Sequence, residues 1–381
     1  MKHALTLLLA LFMLTACHDE PAKPRRQWKH VVVVYVMGEN SLSTFAQRDL
    51  NEMHRASRLI PDSCQLAVCF DNSRADERPK ILSLSRNEGE QTLFTYPNDP
   101  VTTDSATLAQ ALNIVMRELP ADHYSLVMWS HGSGWLPQTP RYTIGVDNGR
   151  NSLSDTGMEM EVRTLAHVLQ QTGRKWDYVL FDACFMQSVE TAYELRSATE
   201  WCMGSPAEIP GEGAPYDVLM PTLFSPVEEA WRIVQQYHEY YDERGGVVIS
   251  AIRCSELEPL AQATAPIIRQ LPKFPPTDGI QRYFALDYEG QWLPEFFDMG
   301  SAMHKWLDEE DYQTWLSAAR RAVPHCYASG TWYTGYDFVT PVLTDADHVL
   351  GMSMYVPIEN DQLLKSFTQT RWNQAIRWTS Y

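Results

Sequence analysis

His30-Val31-Val32-Val33-Val34-Tyr35-Val36 is a continuous apolar, β-branched run, the pattern of a strand covered on both faces at the centre of a parallel sheet. The neighbouring segments extend that pattern. Residues 43–59 read as a helix, 65–70 as a second strand, and 81–85 with 92–96 as shorter edge or hairpin strands. Asp104 caps a helix that runs through Leu119. Residues 124–129 form another buried strand, which ends at Ser130-His131. An amphipathic helix at 162–171 precedes a strand at 177–181 that ends at Asp182-Ala183-Cys184, and 185–197 is expected to continue directly as a helix. Strands at 200–205 and 247–253 follow, the second after a helix at 227–241. Strand then helix, repeated, predicts a mainly parallel sheet with right-handed crossovers and helices on both faces.

Beyond Leu271 the pattern changes to Pro272, Pro275, Pro276 and Gly279. Helices are expected at 296–307, 310–322 and 362–378, with a late strand at 351–356. The reading is therefore a core over residues 29–271 and a smaller, mostly helical C-terminal portion over 272–381. At the other end, residues 1–16 open with Lys2 and His3 and continue as the apolar stretch 4–14, too short to span a bilayer but suited to a secretion signal. Leu14-Thr15-Ala16-Cys17 resembles a bacterial lipobox. Cys17 is then the expected lipid anchor, and residues 17–28, polar and proline-containing, the tether. These features predict an exported lipoprotein of the cell envelope that touches the membrane only through Cys17.

A formal net charge of -17 argues against nucleic acid as a partner, since phosphate binding needs clustered Lys and Arg. Cys64, Cys69, Cys184, Cys202, Cys254 and Cys326 make neither a disulfide framework nor a Cys-x-x-Cys zinc pattern. Cys64 and Cys69 are five apart on one strand, so they should face opposite sides of the sheet. Most of the six read as small buried hydrophobes.

Cys184 is set apart by context. It and His131, 53 residues apart, both sit at strand ends, where open parallel sheets gather ligands. A thiol and an imidazole delivered there can attack a carbonyl. A helix beginning beside Cys184 would favour its thiolate. Gly132 and Gly134 clear space beside His131 for a substrate backbone, and the amides of Gly132 and Cys184 are candidate oxyanion donors.

Trp129-Ser130-His131-Gly132-Ser133-Gly134-Trp135, together with Asp182-Ala183-Cys184-Phe185-Met186 and Glu190, resembles the clostripain family of cysteine peptidases, relatives of gingipain, legumain and the caspases. The opening strand with Gly38-Glu39-Asn40-Ser41-Leu42 and the segments 206–216, 351–357 and 367–372 share the likeness. The resemblance implies a caspase-like three-layer α/β sandwich. It also implies endopeptidase cleavage after Arg or Lys, in protein or peptide substrates, with Cys184 as nucleophile and His131 protonating the leaving amine. Asp182 matches the family's acid in the pocket for the basic side chain, although an N-cap on a helix starting at Phe185 is an equal alternative. Glu208, or else Glu212, would supply a second acid. Family members are cut between histidine and cysteine at a basic residue, which points to Arg150, better placed than Arg141 in the loop 136–156. No cofactor is expected. Calcium enters only through the resemblance, because Asp147, Asp155 and their neighbours lack the ligand spacing of a known loop and read as solvated carboxylates. Two other readings stand beside the peptidase: a catalytically inactive homologue, and a surface lipoprotein that binds glycans or peptides through its tryptophans.

Overall fold

Along β1 (Trp28–Gly38) the side chains divide between two cores: Val31, Val33, Tyr35 and Met37 pack on one face of the sheet, Val32, Val34 and Val36 on the other. A run without polar alternation is what a strand buried on both sides requires. The computed structural model describes residues 26–74, 76–136, 144–283, 296–335, 340–359 and 363–378. The secretion signal, Cys17, most of the tether and Arg141 lie outside those residues.

After β1 come α1 (Ser43–Ala56), β2 (Cys64–Asn72), the hairpin β3 (Lys80–Ser85) and β4 (Gly89–Thr95), α2 (Ser105–Glu118) and β5 (Ala121–Trp129). A small ribbon of β6 (Ile144–Asp147) and β7 (Met158–Met160) leads to α3 (Val162–Gln171), β8 (Trp176–Asp182), α4 (Val189–Leu195) and β9 (Thr199–Gly204). Next are α5 (Tyr216–Leu219), α6 (Arg232–Tyr241), β10 (Val248–Arg253) and α7 (Leu257–Ile268). The chain closes with β11 (Phe297–Asp298), α8 (Met299–Trp306), α9 (Glu309–Ala322), β12 (His325–Ala328), β13 (Ser353–Met354), α10 (Leu364–Phe367) and α11 (Arg371–Ile376).

The main sheet runs β12-β10-β9-β8-β5-β1-β2-β3-β4. Its centre, β9-β8-β5-β1-β2, is parallel throughout. Helices α1, α5 and α6 cover one face, while α2, α3, α4, α7, α9 and α11 cover the other. This is the three-layer sandwich expected. Cys64 and Cys69 fall in opposite cores, as their spacing requires.

The structure departs from expectation in four places. β10 pairs antiparallel with β9, although the segment between them lays α5 and α6 on one face of the sheet. β12, unforeseen, extends the main sheet from within the last third of the chain. The closing helix is two, since Thr370 turns out of the helical region and caps α11 by accepting from Asn373 N. The helix expected from Phe185 starts only at Val189, capped by Ser188 accepting from Thr191 N. Phe185 itself has φ +61°, a left-handed conformation that a side chain enters at a cost of roughly 1–2 kcal/mol.

Candidate active site

β5 and β8 are parallel neighbours in which Trp129 is paired with Asp182. His131 and Cys184 each lie two residues beyond that pair, so the register sets them side by side at the carboxyl edge of the sheet. The turns holding them are in contact: a Cβ on Gly132 would lie 2.6 Å from Cys184 O and 3.0 Å from the Ala183 Cβ. Only a glycine lets the two backbones approach so closely. After Cys184 the left-handed Phe185 reverses the chain, its amide held by Ala207 O at 2.9 Å and its ring stacked on Phe296 at 4.7 Å. This reversal leaves the thiol at the mouth of a cleft lined by Leu42, His131, Asp182, Cys184, Glu208 and Ile209 among others.

His131 Nε2 faces Ser41 Oγ at 3.1 Å and Asp155 Oδ1 at 3.3 Å. Asp155 also accepts from Ser41 N at 2.9 Å. Burial would raise the Asp155 carboxyl, but the bonds from His131 and Ser41 outweigh it and hold the group at about 2. Asp155 therefore presents a fixed negative charge to the imidazole. Neither partner was legible in advance. Both come from loops, and only the quoted likeness of residues 38–42 pointed near one of them.

The Cys184 thiol differs from expectation. Burial first, and the Glu208 charge second, push it up to about 12, against the opposing amide of Ile209, which lies 3.4 Å from Sγ. With α4 starting at Val189, no helix N-terminus stands behind the sulfur to lower it. A thiol raised that far keeps its proton at neutral pH.

Asp182 is not a helix cap, since Ser188 holds that role. Its carboxylate accepts from Ala214 N at 2.9 Å and Tyr216 Oη at 3.1 Å. Gly213 packs against it so tightly that a Cβ there would lie 2.9 Å from both carboxylate oxygens. Burial raises Asp182 to about 7, moderated by those two donors. Behind it, Asp49 accepts from Trp129 Nε1 at 2.6 Å, and burial followed by the Asp182 charge pushes it up to about 9. Glu208 lines the same cleft, with Oε2 accepting from Gly335 N at 3.2 Å. Glu212 is exposed and lies outside that lining. Arg150, exposed, is in the loop between β6 and β7, and its amide donates to Glu39 Oε1 at 2.6 Å.

Asp147 is fully buried, not the solvated carboxylate expected, because β6 tucks beneath the 101–104 turn and Asp147 caps it by accepting from Thr102 N at 2.5 Å. Glu39, Asp71 and Asp147 gather one carboxylate oxygen each within 4.8 Å of one another. His304, Asp345 and His348 form a second, more open group, in which His348 Nδ1 meets Asp345 Oδ1 at 2.6 Å.

The profile of the clostripain family matches residues 34–320. Among solved structures, a secreted C11 cysteine protease from Bacteroides thetaiotaomicron, in complex with an irreversible peptide inhibitor, is 30% identical with a TM-score of 0.80, covering 92% of this chain and 100% of that one. An inactive zymogen C11 protease from Parabacteroides distasonis is 26% identical with a TM-score of 0.78, covering 92% and 98%. A clostripain from B. thetaiotaomicron, in complex with the peptide inhibitor BTN-VLTK-AOMK, is 26% identical over 57% of this chain and 95% of that one, with a TM-score of 0.51. No curated protein matches. With its caspase-like sheet and a thiol and imidazole at one edge of it, the chain belongs to the clostripain family of cysteine peptidases.

Proposed function

We propose that this peptidase works as an endopeptidase through a Cys184–His131 dyad and cleaves protein or peptide substrates after Arg or Lys. The observation that carries the reading is the shared offset of the two residues from the paired Trp129 and Asp182, in a cleft that also holds two carboxylates. Cys184 Sγ attacks the scissile carbonyl while its proton passes to His131. His131 then protonates the leaving amine, and water hydrolyses the resulting thioester. The amides of Gly132 and Cys184 stabilise the oxyanion. Asp155 and Ser41 orient the imidazole.

Asp182 takes the charge of the basic P1 side chain and Glu208 adds a second carboxylate, while Leu42 and Ile209 offer apolar walls for its methylene stem. An incoming guanidinium would hold Asp182 ionised against the burial that raises it to about 7. Arg150, exposed in the loop that reaches Asp155, is the site of self-processing. Residues 1–16 direct export, and lipidated Cys17 anchors the chain to the cell envelope through the tether 17–28. No organic cofactor takes part.

The test is turnover of reporter peptides ending in Arg, Lys, Asp, Asn or Ala, with and without Cys184→Ala. Release only from Arg or Lys peptides, lost in the variant, is expected. Preference for Asp, or turnover that survives Cys184→Ala, would refute the assignment. Loss of all turnover in the unaltered chain would favour the inactive homologue.

A further inference from the structure

We propose that His304 and His348, backed by Asp345, bind a divalent transition-metal ion of the zinc type, which fastens the segment before β13 to α8. His304 is in the last turn of α8, whereas Asp345 and His348 belong to a turn between β12 and β13. One ligand-capable atom from each of the three lies within 4.8 Å of the others, and all three side chains are half-buried. None of them lines the cleft around Cys184.

The backbone that carries these side chains is held from both ends. His348 N and Val349 N close the turn on Asp345 O at 3.1 and 3.2 Å. Leu350 N and Gly351 N then donate to the Asp298 carboxylate, which also caps α8 by accepting from Ser301 N at 3.0 Å. From the helix side, a Cβ on Gly300 would lie 2.2 Å from His348 O, so a glycine is needed where the turn seats on α8. The ligands are thus brought together before any ion arrives.

The rings are disposed as ligands. Asp345 Oδ1 accepts from His348 Nδ1 at 2.6 Å, which leaves the lone pair of that ring at Nε2 and orients it, the carboxylate–histidine pairing that metal sites use. The His304 ring lies on the His348 ring with centroids 3.4 Å apart and planes at 9°. Parallel rings aim their in-plane lone pairs side by side. A turn of one ring about Cβ–Cγ, a soft torsion, converges them on one ion. Tyr312 walls the pair, its ring 4.9 Å from His304 and 5.7 Å from His348. Its hydroxyl is buried and has no hydrogen-bond partner among the described residues, a deficit that water held on the ion would make good.

The donor set selects the ion. Imidazole suits zinc and its transition-metal neighbours, whereas calcium and magnesium take oxygen ligands. Zinc also tolerates positions filled by water beside its protein ligands, which a half-buried site allows.

The full chain carrying Cys184→Ala, made without a histidine tag and freed of metal with EDTA that is then removed, is titrated with zinc chloride in a calorimeter and its Tm followed. We expect Tm to rise by roughly 4 °C at a hundredfold excess over Kd. His304→Ala should bind one zinc ion fewer per chain and lose that rise, with its metal-free Tm close to the parent's. Asp345→Asn keeps both imidazoles and should weaken binding about 10–100-fold. His348→Gln replaces His304→Ala should the latter not fold, with the same expectation. No binding heat with an unchanged Tm, variants that titrate like the parent, or calcium binding at this site as tightly as zinc would overturn the proposal.

Discussion

Replacing Gly132 by alanine perturbs the site without removing any group that does chemistry. The added Cβ would lie 2.6 Å from Cys184 O, 2.9 Å from Met186 Sδ and 3.0 Å from the Ala183 Cβ. Met186 can swing aside, but the backbone oxygen cannot. Ordinary contact begins near 3.4 Å, so the turn carrying Cys184 must withdraw from the one carrying His131 by about 0.8 Å. A misplacement of about 1 Å at a reacting centre costs on the order of 100-fold in rate. We therefore expect kcat of Gly132→Ala to fall by about 100-fold, with KM changed less than threefold because the acidic cleft is intact. Crowding of this kind also costs about 1–3 kcal/mol of stability, visible as a lower Tm by circular dichroism. Gly330→Ala is the control, since a Cβ there meets nothing within 4 Å. Steady-state kinetics on an Arg reporter peptide decide the matter. A Gly132→Ala enzyme within twofold of the parent would mean that the close approach of the two turns does not set the rate.

Three further outcomes follow from the cleft. Because burial raises Asp182 to about 7, kcat/KM for Arg peptides should climb as pH rises through about 7, when the acid ionises, and Asp182→Asn should lower kcat/KM and flatten that limb; a parent profile flat from pH 6 to 8 would contradict it. Asp49, raised to about 9 when folded against about 3.9 unfolded, stabilises the fold fully only below pH about 4, and that contribution is lost progressively as pH climbs to about 9. Asp49→Asn keeps an acceptor for Trp129 Nε1, so it should raise Tm at pH 7 by roughly 2–4 °C and lessen the decline towards pH 9; a lower Tm would refute this. Arg150→Gln should leave the purified enzyme as one chain on denaturing gels, whereas unchanged cleavage would move the processing site elsewhere.

Much of this architecture could be read from residue patterns because the signals were local. The valine run of β1 and the apolar stretches of β5 and β8 mark doubly covered strands, and once these are neighbours the positions of His131 and Cys184 follow from counting. What escaped was set by distant contacts or by single backbone angles. Apolar periodicity from Phe185 onward suits a helix, yet Phe185 turns left-handed because its ring stacks on Phe296, more than a hundred residues away. That one dihedral removes the helix from Cys184, and burial of the thiol, with the Glu208 charge, moves it in the direction opposite to the one expected. Asp155 and Ser41 meet His131 from two loops whose sequences carry no periodic signal. Asp147 lies in a polar stretch that reads as solvated, and its burial depends on Thr102 and on the folding of β6 against the sheet. β12 is four half-buried residues whose partner strand lies over seventy positions earlier.

The most direct measurement is the site and histidine dependence of covalent labelling by an Arg peptide that carries a thiol-reactive electrophile. Intact-mass and peptide-mass spectrometry should find one adduct per chain, on Cys184 and on none of Cys64, Cys69, Cys202, Cys254 or Cys326, with a rate that falls at least about 100-fold in His131→Ala. An adduct on another cysteine, or labelling of Cys184 that is indifferent to the loss of His131, would contradict the dyad.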